Sequence, residues 1–224
     1  MLNHDELLLH DILGIYSPSG QERAVAEYLA QAMTERGLHG RVDEVGNAVG
    51  EIGAGHPHVM LLGHIDTVPG FIPVQLRQGA LYGRGAVDAK GSFAAFICAA
   101  TRLATGGAVG KRITLVGAVE EEAVTSKGAR HALRQYSPDV VIIGEPSGWD
   151  AITLGYKGRL IIHYRCQRPM SHTANREPVP AEEAAAFWQR IQDFARAWNE
   201  AHGVRFGQWG AIDPSLRHIV TGDD

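Results

Sequence analysis

Three short apolar runs, residues 58–62, 113–119 and 140–143, each stop at a glycine or an acid, and stretches with helical spacing lie between them. Apolar runs bounded in this way have the pattern of buried strands. Phe93, Phe96, Ile97, Ala100 and Leu103 mark one intervening helix; Ala129, Ala132 and Leu133 mark another. Strand and amphipathic helix in alternation predict an α/β fold, a mostly parallel sheet sandwiched by helices. Ser19-Gly20-Gln21-Glu22 has the form of a capping box ahead of Val25, Leu29 and Met33, and Gly37 closes that helix. Gln78-Gly79, between Val74-Gln75-Leu76 and Leu81-Tyr82, predicts a hairpin.

The texture changes after Tyr156. Residues 159–165 read as a strand with a partly exposed face, and Phe187, Ile191, Phe194 and Trp198 carry a helical stripe. Residues 214–220 read as a further strand. The chain therefore divides into two expected domains, 1–156 and 157–224.

With 45% apolar and 21% charged residues, the chain has material for a real core. Lys and Arg number 21 against 25 Asp and Glu, a formal charge of -4 without a basic run, which leaves no electrostatic footprint for nucleic acid or an anionic membrane. The first residues lack a positive n-region, and no stretch approaches the roughly 20 apolar residues of a membrane span. The 2 cysteines form no CxxC pair, which fits a reduced, cytoplasmic setting.

Chemistry gathers where the apolar runs end, and in parallel α/β sheets functional groups collect at the carboxyl ends of strands. Gly63-His64-Ile65-Asp66-Thr67-Val68-Pro69 offers an imidazole ligand and a carboxylate two residues on that can hold its other ring nitrogen. A turn with a solvated His and Asp is the plain alternative. Gly83-Arg84-Gly85-Ala86-Val87-Asp88-Ala89-Lys90-Gly91 could hold Asp88 as a bridge between two cations, or Asp88 could cap the next helix. The run fits neither a Walker loop nor a dinucleotide fingerprint. Glu120-Glu121-Glu122 could divide metal ligation and proton transfer between neighbours, or be the acidic first turn of a helix. Glu145, in Gly144-Glu145-Pro146-Ser147, is a further carboxylate at a strand end. One histidine and three carboxylates, each ending a different strand, suit a dinuclear hydrolytic centre, and mixed nitrogen and oxygen donors favour zinc, with cobalt or manganese possible.

These stretches, in this order, resemble the dinuclear-zinc aminoacylase/carboxypeptidase (M20-like) family. That family includes acetylornithine and succinyl-diaminopimelate deacylases and the hydrolases that free lysine or ornithine from an amino-group carrier protein. The details of 64–70 and 83–91 most resemble the carrier-protein hydrolases. The resemblance implies a catalytic domain over 1–156 and part of an α+β dimerisation lid over 157–224. It implies that His64 and Glu145 bind one Zn2+ or Co2+, Glu121 the other, and Asp88 both. Asp66 would orient His64, Glu120 would take the proton of the attacking water, and His172 would reach a partner subunit's site and polarise the scissile carbonyl. The implied partners are a homodimer mate and either a small amino-acid amide or an acidic carrier protein, in lysine and arginine biosynthesis. Arg84, Lys90, Lys157 and Arg176 could face such a carrier or serve as ordinary surface charges.

The family's last ligand is a histidine beyond the lid, which neither His202 nor His218 matches. The resemblance thus implies a C-terminally shortened chain with an incomplete second metal site. Two alternatives stay open: a deacylase of acetylornithine or another N-acyl amino acid, and an inactive fragment acting only in association.

Overall fold

Asn3 opens the first helix, α1 (His4–Gly14): its side chain accepts the Asp5 and Glu6 N–H groups, and Glu6 returns a bond to the Asn3 N–H, so a capping box stands where periodicity gave no signal. The expected box at Ser19–Glu22 does not form. Helix α2 (Arg23–Glu35) begins without a side-chain cap: the Ser19 hydroxyl bonds Asp66, and the Glu22 carboxylate accepts the N–H groups of Gly20 and Glu120. The interior of α2 follows its spacing, with Val25, Leu29 and Met33 buried, and Gly37 (φ 84°) leads the chain out.

A computed structural model describes residues 2–106, 110–148, 150–169 and 178–221, in two compact units, Met1–Ala151 and Ile152–Asp224. The first holds a five-stranded sheet built from β1 (His39–Val42), β2 (Ala48–Ile52), β3 (His58–His64), β6 (Arg112–Ala118) and β7 (Val140–Ile143), in the order β1-β2-β6-β3-β7. Pairing is parallel across β6, β3 and β7 and antiparallel across β1, β2 and β6, so only β2 runs against the rest. The two shortest strands, β4 (Gln75–Arg77) and β5 (Ala80–Tyr82), form the expected hairpin, with Gln78 (φ 50°) and Gly79 (φ 79°) as its two-residue turn.

Alternate residues of β3 and β6 face opposite layers. Leu61, Ile113 and Leu115 join Leu8, Ile12, Leu29, Met33 and Phe93 from α1, α2 and α3 (Lys90–Thr105) in the main core. Met60 and Val116 turn the other way, onto Ala132 of α4 (Lys127–Gln135), with Leu62 and Tyr136 beside them. Helices thus lie on both faces, three on one and α4 on the other. Gly117 lets Phe93 lie flat on the sheet: a Cβ there would stand 2.7 Å from Ile65 and 2.8 Å from Phe93. Strand β7 departs from expectation, since it pairs in parallel with β3 yet all four of its residues are exposed.

In the second unit, α5 (Pro180–Ala201) carries the expected stripe, with Phe187 stacked on Tyr164 at 4.3 Å and Trp198 on His202 at 3.9 Å. The strands expected at 159–165 and 214–220 are absent: among the described residues of this unit no segment pairs into a ladder. An apolar run becomes a strand only when another strand satisfies its N–H and C=O groups. His172 and Arg176 lie outside the described residues.

Candidate metal centre

The parallel strands β3, β6 and β7 end on the same edge of the sheet, and their last residues deliver the site. Because His64 pairs with Ala118 and Leu62 with Ile143, the segments after each strand begin side by side. The His64 ring is 1% exposed. Its Nδ1 lies 2.9 Å from the Asp66 main-chain oxygen, which can only accept, so Nδ1 carries the hydrogen and Nε2 is presented to the acids. Nε2 stands 3.0 Å from Asp88 Oδ1, 3.9 Å from Glu121 Oε2 and 3.9 Å from Glu145 Oε1. Asp88 comes from the glycine-rich loop before α3, Glu121 from the segment after β6, and Glu145 from the segment after β7.

Asp66 sits against the ring as expected, with its carboxylate 3.4 Å from Nδ1, but that fully buried group has other partners. It accepts the Ser19 hydroxyl at 2.7 Å and the N–H groups of Glu121 and Glu122 at 3.0 Å each. Ring orientation therefore comes first from the Asp66 main chain, and the carboxylate fixes the acidic segment.

Glu120 is not brought into the cluster. Its backbone is left-handed (φ 56°), Thr125 donates to its carboxylate at 2.7 Å, and Lys127 Nζ lies 3.6 Å away. Glu122, to which the sequence reading gave no role, does join: ligand atoms of His64, Asp88 and Glu122 lie within 4.8 Å of one another, as do those of His64, Glu121 and Glu145. The left-handed turn at Glu120 is the signal that sequence could not carry, since adjacent side chains point opposite ways only on extended backbone. Among the cations expected to face a carrier, Lys90 is buried, its ammonium donating to Ile12 and Ile15 carbonyls at 2.8 and 2.7 Å. Arg84 donates to the Gly70 carbonyl, and Lys157 pairs with Asp213.

The charges are out of balance in a way a cation would correct. Burial opposes a proton on His64, yet bonds to Asp66 and Asp88 and the field of Glu145 outweigh it and raise the imidazole to about 10. Burial pushes Glu145 up to about 6 against the pull of His64, with Glu121 and Asp88 adding to the rise. Burial and the neighbouring Asp88 also raise Glu122. Burial would raise Asp66 too, but its bonds to His64, Ser19 and the two N–H groups hold it below the usual carboxylate range. One ring nitrogen facing four carboxylates is a donor set that fits divalent cations of the zinc or cobalt kind.

Residues 60–212 match peptidase family M20/M25/M40. The chain is 44% identical over 218 residues to a LysW-lysine hydrolase of Deinococcus radiodurans, covering 97% of this chain and 60% of that protein. It is 33% identical over 171 residues to a LysW-lysine/LysW-ornithine hydrolase of Saccharolobus islandicus, covering 76% of this chain and 47% of that one. The chain thus spans less than two thirds of the length of these relatives. Among solved structures, the fold is similar to an M20 metallo-carboxypeptidase of Sulfolobus solfataricus, with a TM-score of 0.56 at 20% identity over 64% of this chain and 37% of that one.

Proposed function

The chain belongs to peptidase family M20/M25/M40, and from that premise we propose that it serves a dinuclear metallohydrolase that frees lysine or ornithine from a LysW-type carrier protein. The observation that carries this reading is the convergence of Asp88, Glu121 and Glu145 on His64 Nε2. Bound there, zinc or cobalt ions would polarise the scissile carbonyl and acidify the attacking water. His64 and Glu145 would hold one cation and Glu121 the other, with Asp88 available to both, and Glu122 is a further carboxylate beside them. Glu120, its carboxylate bonded by Thr125 with Lys127 beside it, would take the proton of the attacking water. His172 reaching a second subunit, residues 157–224 acting as a dimerisation lid, and a cytoplasmic setting in lysine or arginine biosynthesis complete the proposal. Its oligomeric part is read directly by sedimentation.

The test compares three single variants, Glu120→Gln, Glu121→Gln and Glu122→Gln, by bound metal and by release of lysine from LysW-linked lysine, with N-acetylornithine as the competing substrate. Glu120→Gln should keep its metal while losing turnover by about 10²–10⁴-fold, the scale of acid–base catalysis, whereas Glu121→Gln should lose metal. Glu122→Gln should stay closer to the parent in turnover. A Glu120→Gln with near-parent turnover would pass the role to Glu122, and turnover of N-acetylornithine alone would change the substrate.

A further inference from the structure

Glu22 is a buried acid that the reaction scheme leaves unused. It is 5% exposed, sits just ahead of α2, and makes no side-chain cap bond to that helix. One oxygen, Oε1, accepts two main-chain bonds, from the Gly20 N–H at 2.9 Å and from the Glu120 N–H at 3.0 Å. The second bond joins residues 98 positions apart in the chain.

We infer that Glu22 is a positioning residue for the metal centre, fixing the left-handed turn at Glu120 so that the side chains of Glu121 and Glu122 are aimed at His64. This rests on the metal reading above and extends it to a residue remote from the cations. Three consecutive N–H groups, those of Glu120, Glu121 and Glu122, all end on buried carboxylates: the first on Glu22, the next two on Asp66. A residue with a Cβ avoids φ near 56° unless its surroundings hold it there. A charged acceptor on its N–H supplies such a hold, and such bonds are stronger than neutral ones. The neighbouring chain is tied down as well: Ser19 N–H bonds the Thr67 carbonyl, Thr67 N–H bonds the Ser17 carbonyl, and the Ser19 hydroxyl bonds Asp66. The segment before α2 thus braces the two pieces that carry His64 and the acids. With its backbone held through N–H groups, the 120–122 segment keeps the Glu121 and Glu122 carboxylates free for cations.

The proposal is tested on the full 224-residue chain with Co2+ as the probe, following binding by the visible absorption of the ion, and amide hydrogen exchange over residues 119–125 without metal. Glu22→Gln keeps an oxygen that accepts both bonds, whereas Glu22→Ala removes it and Glu22→Asp draws it back by one methylene. The expected result is Co2+ affinity close to the parent for Glu22→Gln, about 10–100-fold weaker binding for the other two, the range for supporting residues around metal ligands, and faster exchange at 120–122 in those two alone. A folded Glu22→Ala or Glu22→Asp that binds Co2+ like the parent overturns the inference, as does a Glu22→Gln as impaired as they are. Should the parent itself bind no Co2+, the metal reading fails, and unchanged exchange at 120–122 in Glu22→Asp would then separately overturn the bracing role.

Discussion

Helices α3 and α5 have comparable apolar stripes, and they come to rest in very different ways. In the first unit, α3 buries Phe93, Ala94, Ile97 and Ala100 against the sheet. In the second, the longer α5 buries Ala195 alone and leaves Phe194 61% exposed. Local terms hold α5 together: Pro180 at its start, Glu182 bonded to the Val179 N–H, and a Gln189–Asp193 bond one turn apart. Spacing in a sequence therefore announces a helix, but a core appears only where a sheet offers a surface to receive it.

That contrast can be broken by substitution. Phe93→Ala, at the centre of the main core, should cost about 3–5 kcal/mol, read from urea unfolding by circular dichroism. A loss below about 1 kcal/mol would remove the distinction between the units. Burial lowers the Lys90 ammonium from 10.5 to about 8, so the folded chain holds this proton less tightly than the unfolded one. Between those pH values the unfolded state binds more protons, and stability should rise with pH by up to about 3 kcal/mol relative to Lys90→Met. A flat difference would mean that the Ile12 and Ile15 carbonyls compensate for the lost hydration. Phe194→Ala in α5 should change stability by no more than about 0.5 kcal/mol. Tryptophan fluorescence suits that measurement, because three of the four tryptophans, Trp188, Trp198 and Trp209, lie in the second unit.

Much of the first unit was legible in the sequence because each element carried its own evidence. The runs at 58–62 and 113–119 became β3 and β6, the Gln78-Gly79 pair became a turn, and the stripes became α2 and α3. What escaped depended on partners far along the chain. Strands β1 and β2 are only four and five residues long, too short for period-2 alternation to stand out. The capping pattern at Ser19–Glu22 was real in composition, but the Ser19 hydroxyl goes to Asp66 and the Glu22 carboxylate to the Gly20 and Glu120 N–H groups. His64, Asp88, Glu121 and Glu145 could be chosen from their positions at strand ends, whereas Glu122 required knowledge of one backbone angle, at Glu120. The apolar residues 159–165 looked like a strand because sequence shows hydrophobicity and not whether a neighbouring ladder exists.

The pairing of His64 with Ala118 has a further consequence. Sliding β6 past β3 by one position would move the acidic segment about 3.3 Å along the strand and turn each β6 side chain to the opposite layer. The acids and His64 come from segments that this one alignment sets side by side, so a cation held by them would favour that alignment over shifted ones.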